Sequence, residues 1–331
     1  MQTRKCFVRT QSVVRACCRT AVSISAVLPD TVYPRHAVHE IRGEAWKERA
    51  NALDALGRYP EAFEALNAAE IEYRCLPHPG AGIVSLTYIR SSLLYEQEHF
   101  ADAERFATES ARAALHLGLT DRYMRARHLL ALIRSDQHRY GEALDIARDL
   151  LERGEATGDE VWVARESLVV GGCELELGNL KEADKHLIRA RALHSSLGSS
   201  SEVIRTDWCI ARLKARAGET KEAIRRLRGC IVEFSRLEML TDAALVAVDL
   251  AELLVAAERE REVPAVLAGV SKRFTEAGKL TSALTALAYL SHAAASATPI
   301  SPQVIGYVRR FILRADRDHE LMFAPPAEPG T

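Results

Sequence analysis

The sequence is poor in aromatic residues, at 6% of 331, and its net charge of −1 gives it no overall field of either sign. A near-neutral chain is not drawn at long range to nucleic acid, to a membrane surface or to an acidic partner, so any such binding needs a local patch. No apolar run approaches the roughly 18 residues a bilayer-spanning helix requires. Cysteine is present without a pattern. Cys6, Cys17, Cys18, Cys75, Cys173, Cys209 and Cys230 are an odd, scattered set with no C-x-x-C pair, which argues against a disulfide framework and a zinc ribbon. Enzyme signatures are missing as well: no G-x-x-x-x-G-K-S/T, no G-x-G-x-x-G after a strand, no H-E-x-x-H and no G-x-S-x-G. No catalytic residue, cofactor or metal is expected.

Ala, Leu, Arg and Glu, all strong helix formers, fill what remains, with 48% hydrophobic and 27% charged residues. This composition predicts an all-α fold. Five cations, Arg4, Lys5, Arg9, Arg15 and Arg19, precede the first acid, Asp30, and read as a solvated helix face ahead of a nucleic-acid patch. Residues 21 to 28 (AVSISAVL) make a poor secretory core, because serines interrupt them and Pro29-Asp30 stands where small cleavage-site residues belong. The expected compartment is the cytoplasm.

The chain repeats. A turn residue, an aromatic or aliphatic residue, an acid and an alanine recur in Gly57-Arg58-Tyr59-Pro60-Glu61-Ala62, Glu98-His99-Phe100-Ala101-Asp102-Ala103, His138-Arg139-Tyr140-Gly141-Glu142-Ala143, Gly178-Asn179-Leu180-Lys181-Glu182-Ala183 and Gly218-Glu219-Thr220-Lys221-Glu222-Ala223. The closing alanines, 62, 103, 143, 183 and 223, step by 41, 40, 40 and 40, and the next step lands on Val263 in a degenerate sixth copy. Gly118, Gly158, Gly198 and Gly278 keep the same register, with Glu238 at the missing place. Each unit therefore reads as helix, tight turn, helix, looser turn, with glycine where a helix ends in the left-handed region. Ala50, Ser91, Ala131, Gly171, Ala211 and Ala251, twelve residues before each second-helix marker, let paired helices approach closely. One hairpin cannot bury all its apolar positions, so neighbours must stack.

A small residue followed by Gly-x-Tyr-x-x-Ala, as in Ala50 with the segment ending at Ala62 and with Trp46 in the first helix, resembles the tetratricopeptide repeat over residues 43 to 296. The sixth unit departs from that pattern with Glu258 and Val263. The 40-residue spacing, longer than the usual 34, resembles the long-helix variants of kinesin light chains, spindle-orientation adaptors and bacterial transcriptional activators. The stretch from Tyr33-Pro34 through Gly43-Glu44-Ala45-Trp46-Lys47 also resembles bacterial proteins whose repeats are sometimes fused to an anti-sigma zinc domain or a helix-turn-helix; neither is expected in this sequence.

The resemblance implies a right-handed α-solenoid of about six hairpins with terminal capping helices. The expected domains are a basic capping segment over 1-40, the repeats over 41-296, and a capping helix with a disordered tail over 297-331. It implies further that inner faces of first helices line a concave groove. Those positions are Lys47, Asn51, Tyr88, Ser92, Tyr95, Arg125, His128, Arg165, Leu168, Arg205, Trp208 and Arg212. Arg125, Arg165 and Arg205 recur every 40 residues and suit carboxylates or phosphates, while Tyr88 and Trp208 suit a peptide anchor. The alternative is that these arginines pair with acids of neighbouring hairpins such as Glu166 and Asp207.

At the ends, residues 10 to 28 are expected to form a capping helix. Residues 281 to 295 read as a seventh first helix. Residues 302 to 316 (PQVIGYVRRFILRAD) read as an amphipathic cap with Val304, Tyr307, Val308, Phe311 and Ile312 on one face. His36 and His39 with Cys17 and Cys18, and Asp316, Asp318, His319 and Glu320, are read as surface groups rather than ligands.

The function expected is a non-enzymatic protein-protein interaction scaffold that binds a peptide or helix of a partner in the groove, within bacterial transcriptional or stress regulation. A ligand-sensing domain for a small molecule or short peptide is the alternative. A protein or peptide partner is expected, a membrane or nucleic acid is not, and self-association through the end caps stays open.

Overall fold

The computed structural model describes residues 35–276, 282–295, 301–317 and 321–325. The expected helix over residues 10 to 28, the early cations, Cys17, Cys18, Asp318, His319, Glu320 and most of the tail lie outside them. Among the described residues there are fourteen α-helices, one 3-10 turn and no strand. The chain divides into two compact units, residues 1–139 and 140–331.

Unit 1 contains α1 (Arg35–Asp54), α2 (Tyr59–Arg74), α3 (Gly80–Glu96), α4 (Phe100–His116) and α5 (Thr120–Asp136). Each helix packs on the next, and α3 also touches α1 and α5, so the three first helices lie side by side. Unit 2 contains α6 (Tyr140–Thr157), α7 (Glu160–Glu176), α8 (Leu180–Ser196), α9 (Ser200–Arg216), α10 (Thr220–Arg236), α11 (Leu240–Ala256), the 3-10 turn Glu260–Glu262, α12 (Val263–Glu276), α13 (Ser282–Ala295) and α14 (Pro302–Arg317). Neighbours pack in order here too, and α7 touches α9 as α10 touches α12. Helix α14 packs on α13 and also reaches back to α11.

From α3 to α12 both kinds of turn have the same geometry, which corrects the expectation that alternate turns are looser; before them the α2–α3 connection, residues 75–79, is longer. After α1 the N–H of Arg58 donates to the carbonyl of Leu53 (2.9 Å), and after α4 the N–H of Leu119 donates to that of Ala114 (2.8 Å). Each is the six-to-one bond of a Schellman cap, and each needs a left-handed residue just before it. Glycine supplies it at Gly57, Gly118 and Gly178, but Glu98, His138, Glu238 and Glu258 adopt φ of 58 to 61° in the same role. The turn therefore persists where the sequence marker is lost.

The small residues of the first helices sit at points of closest approach. Ala50, Ala131 and Ala211 are fully buried, as are the second-helix markers Ala62, Ala103, Ala143, Ala183, Ala223 and Val263. A Cβ on Gly171 would stand 2.8 Å from Leu187, whereas one on Gly172 would meet nothing, so only the first of the adjacent pair is needed for packing. Ser91 uses its hydroxyl, donating to the carbonyl of Ala103 (2.7 Å).

Candidate functional site

The first helices of unit 1 enclose a cleft of about 330 Å³, lined by Lys47 and Asn51 of α1, Val84, Ser85, Tyr88 and Ile89 of α3, and Asp121, Arg122 and Arg125 of α5. Four expected groove residues, Lys47, Asn51, Tyr88 and Arg125, thus converge on one space. Its lining carries three cations and one carboxylate. Lys47 is held by Glu44, which also accepts from the Tyr73 hydroxyl (2.5 Å). Burial works against the Glu44 carboxylate, but bonds from Lys47 and Tyr73 outweigh it and hold its pKa below the usual value. Arg122 reaches over to the backbone carbonyl of Ala81. Arg125 stays outermost, its Nε donating to Asp121 (2.8 Å) with both side chains well exposed.

Other expected positions in unit 1 do not line the cleft. The Tyr95 hydroxyl donates to Asp136 (2.6 Å), one repeat further on. Ser92 and His128 are half-buried. At the C-terminal end of α1, burial and the neighbouring Glu96 carboxylate push Asp54 from its ordinary 3.8 up to about 6.

In unit 2 the expected positions form a polar network. Trp208 donates from Nε1 to Asp249 (2.7 Å), again one repeat on, and stacks edge-on against Phe234. Asp249 also accepts from Arg309 of α14, which reaches Glu252 as well (2.9 Å). Burial raises the Asp249 pKa, opposed by Arg309 and Arg212. Arg212 bonds Glu176 (2.5 Å), Leu168 is half-buried against the core, and Arg165 lies over the Trp162 ring at 4.9 Å. Arg205 bonds Glu202 (2.8 Å) and approaches Asp242 of the next hairpin (3.6 Å). Asp207, an expected partner of the arginine row, is taken instead by Arg191 (2.8 Å) and Arg226 (3.3 Å), while Glu166 is fully buried.

No family model matches the sequence, and no curated protein matches it. Solved structures do resemble it. Aspartyl phosphate phosphatase F from Bacillus subtilis superposes with a TM-score of 0.60 at 13% identity over 73% of this chain and 61% of its own. The Rap conjugation gene regulator of the plasmid pLS20, in complex with the Phr* peptide, gives 0.57 at 13% identity over 90% and 82%. The signal transduction ATPase PH0952 from Pyrococcus horikoshii, which has a tetratricopeptide repeat sensor, gives 0.53 at 15% identity over 84% of this chain and 46% of its own. The fold is of the tetratricopeptide type.

In a tetratricopeptide hairpin the cysteines of unit 2 find a packing role. The Cys230 thiol points at the carbonyl of Ile204 (3.8 Å), and 120 residues earlier Ser110 makes the equivalent bond to Val84 (3.0 Å). Burial pushes Cys230 up to about 12 and raises Cys209, so neither is poised as a thiolate nucleophile at neutral pH. His39 lies 2.7 Å from Glu72, and among the described residues no cluster of three metal-ligand side chains occurs. Among the described residues, no helix is long and apolar enough to cross a membrane.

Sequence reasoning missed Val84, Ser85, Ile89, Asp121 and Arg122. The one signal for Arg122 was its place one turn before Arg125 on the same helix face.

Proposed function

We propose that the chain is a non-enzymatic binding protein that docks a peptide or helix of a partner protein in the first-helix cleft of unit 1, within bacterial transcriptional or stress regulation. The observation that carries this reading is the convergence of Lys47, Asn51, Tyr88 and Arg125, from three different helices, on one cleft. Fixed cations beside an aromatic ring and a carboxamide offer charge, stacking and backbone hydrogen bonds to a polypeptide guest. The peptide present with one similar structure, the Rap conjugation gene regulator, supports the same direction.

The further groove positions, Ser92, Tyr95 and His128 in unit 1 and Arg165, Leu168, Arg205, Trp208 and Arg212 in unit 2, belong to this reading as further binding positions. So do the boundaries 1-40, 41-296 and 297-331, a cytoplasmic location, and self-association through the end segments. A second reading, sensing of a small molecule or short peptide, is favoured by the cleft volume, which falls at the lower end of the roughly 300–1,000 Å³ of small-ligand sites.

The test is retention of a partner from bacterial lysate by wild type beside a Lys47→Ala, Arg125→Ala variant with unchanged circular dichroism. A protein held by wild type and lost from the variant supports docking in the cleft; equal retention places the partner elsewhere. Retention of nothing, with a melting temperature raised by a low-molecular-weight extract, replaces the docking reading with the sensing one.

A further inference from the structure

The open cleft of unit 1 and the covered face of α11 occupy the same register. Leu245, Val248 and Asp249 of α11 lie 160 residues, four repeats, beyond Ser85, Tyr88 and Ile89 of α3, all three of which line the cleft. On α11 that surface is filled. Leu245 and Val248 are buried in a cluster shared with Ile305, Val308, Phe311 and Ile312 of α14, and Arg309 of α14 bonds Asp249 and Glu252. The protein thus shows in its own structure what this surface accepts: an amphipathic helix with an apolar stripe against the first helix and one charged side chain on a counter-charge.

The charge is inverted in unit 1. Where α11 offers Asp249 and Glu252 to an arginine, the cleft offers Lys47, Arg122 and Arg125 with Asp121 as the one carboxylate of its lining. Among the bonds described for Arg125 only its Nε is engaged, and its guanidinium has further donors to present. We propose that the guest of the unit 1 cleft is an amphipathic helix of a partner protein, bearing a carboxylate where α14 bears Arg309. This rests on the docking reading and narrows it: the helix lays its apolar stripe over Tyr88 and Ile89, and its carboxylate meets Arg125 and Lys47. An amphipathic helix presents such a stripe on one face, as Val308, Phe311 and Ile312 do on α14.

The probe is a labelled peptide of residues 302–317 carrying Arg309→Glu, titrated into the full-length protein by fluorescence anisotropy. Two controls accompany it: the unaltered 302–317 peptide, and the Arg309→Glu peptide with Arg310→Pro, which breaks the helix at a position exposed on docked α14. The α11 face of the protein stays occupied by its own tethered α14, whose effective concentration outcompetes added peptide. The Arg309→Glu peptide is expected to bind at least about tenfold more tightly than either control, a difference of about 1.4 kcal/mol. An Arg125→Glu variant is expected to reverse the preference in favour of the unaltered peptide, and Lys47→Gln to weaken the acidic peptide alone. Equal binding of the proline peptide overturns the helical guest while leaving docking in place. Equal binding of acidic and unaltered peptides overturns the charge assignment. No binding by any of the three overturns the proposal, and the lysate experiment then decides the docking reading by itself.

Discussion

Helices α3 and α11 share a register and differ in what their inner faces meet. Ten of the 17 residues of α11 are buried, including Leu245 and Val248 on the inner face, whereas α3 buries five and presents Ser85, Tyr88 and Ile89 to a cleft. The backbone of the repeat does not decide which surface becomes core and which becomes a site. That choice is made at the side chains one and two turns along the first helix, where apolar residues recruit α14 and polar or cationic ones leave a cleft.

The largest test of this contrast is charge removal on each face. Arg309→Ala removes the cation bonded to Asp249, whose side chain is only 11% exposed and keeps the Trp208 bond alone among its described bonds, and is expected to cost about 2 kcal/mol by denaturant unfolding. Arg125→Ala breaks a pair with both partners about 60% exposed and is expected to cost less than about 0.5 kcal/mol. Equal losses would mean that the two faces are energetically alike.

The adjacent glycines of α7 sharpen the packing argument, since they should respond with opposite signs. Gly171→Ala drives a methyl group against Leu187 and is expected to lose about 1–3 kcal/mol. Gly172→Ala, with open space around its Cβ, is expected to gain about 1 kcal/mol from helix propensity.

A pH effect belongs to unit 1. The folded state raises Asp54 from 3.8 to about 6 through burial beside Glu96, so it holds a proton that the unfolded chain has released. Its contribution favours the fold fully below about pH 4 and is lost as pH rises through 6. Asp54→Asn is therefore expected to raise the melting temperature at pH 8 by roughly 1–2 °C, the equivalent of about 1 kcal/mol once solvent screening is discounted, with little change at pH 4. A gain of equal size at both pH values would remove the titration account.

The smallest effects are expected at the turns. Glu98→Gly in unit 1 and Glu238→Gly in unit 2 relieve side chains held at φ of 60° and should each stabilise by about 0.5–1 kcal/mol in thermal melts. A loss at either would show that the glutamate side chain contributes more than its backbone strain removes.

Much of the fold was legible because each repeat carries two independent marks, a left-handed turn residue and a small residue at the crossing point. Those marks survive as geometry even at Glu98 and His138. Four of the nine cleft residues are among the positions that the resemblance to tetratricopeptide first helices implied. The others did not, because Val84, Ser85 and Ile89 face the space between neighbouring helices and Asp121 and Arg122 sit at the first turn of α5, where lining depends on how far helices splay. The return of α14 to α11 was not written in any spacing. The sequence LTDAALVAVDLAELLVA nevertheless held a sign of it, since its apolar positions exceed the single stripe a surface helix needs and call for further cover.

The first-helix cleft of unit 1 is the binding surface proposed for this protein. Hydrogen exchange of the full chain with and without a bound partner tests it most directly. New protection is expected in α1, α3 and α5 around Lys47, Tyr88 and Arg125, with α11 and α14 unchanged. Protection gained on the second helices, or on α11 with release of α14, would contradict it.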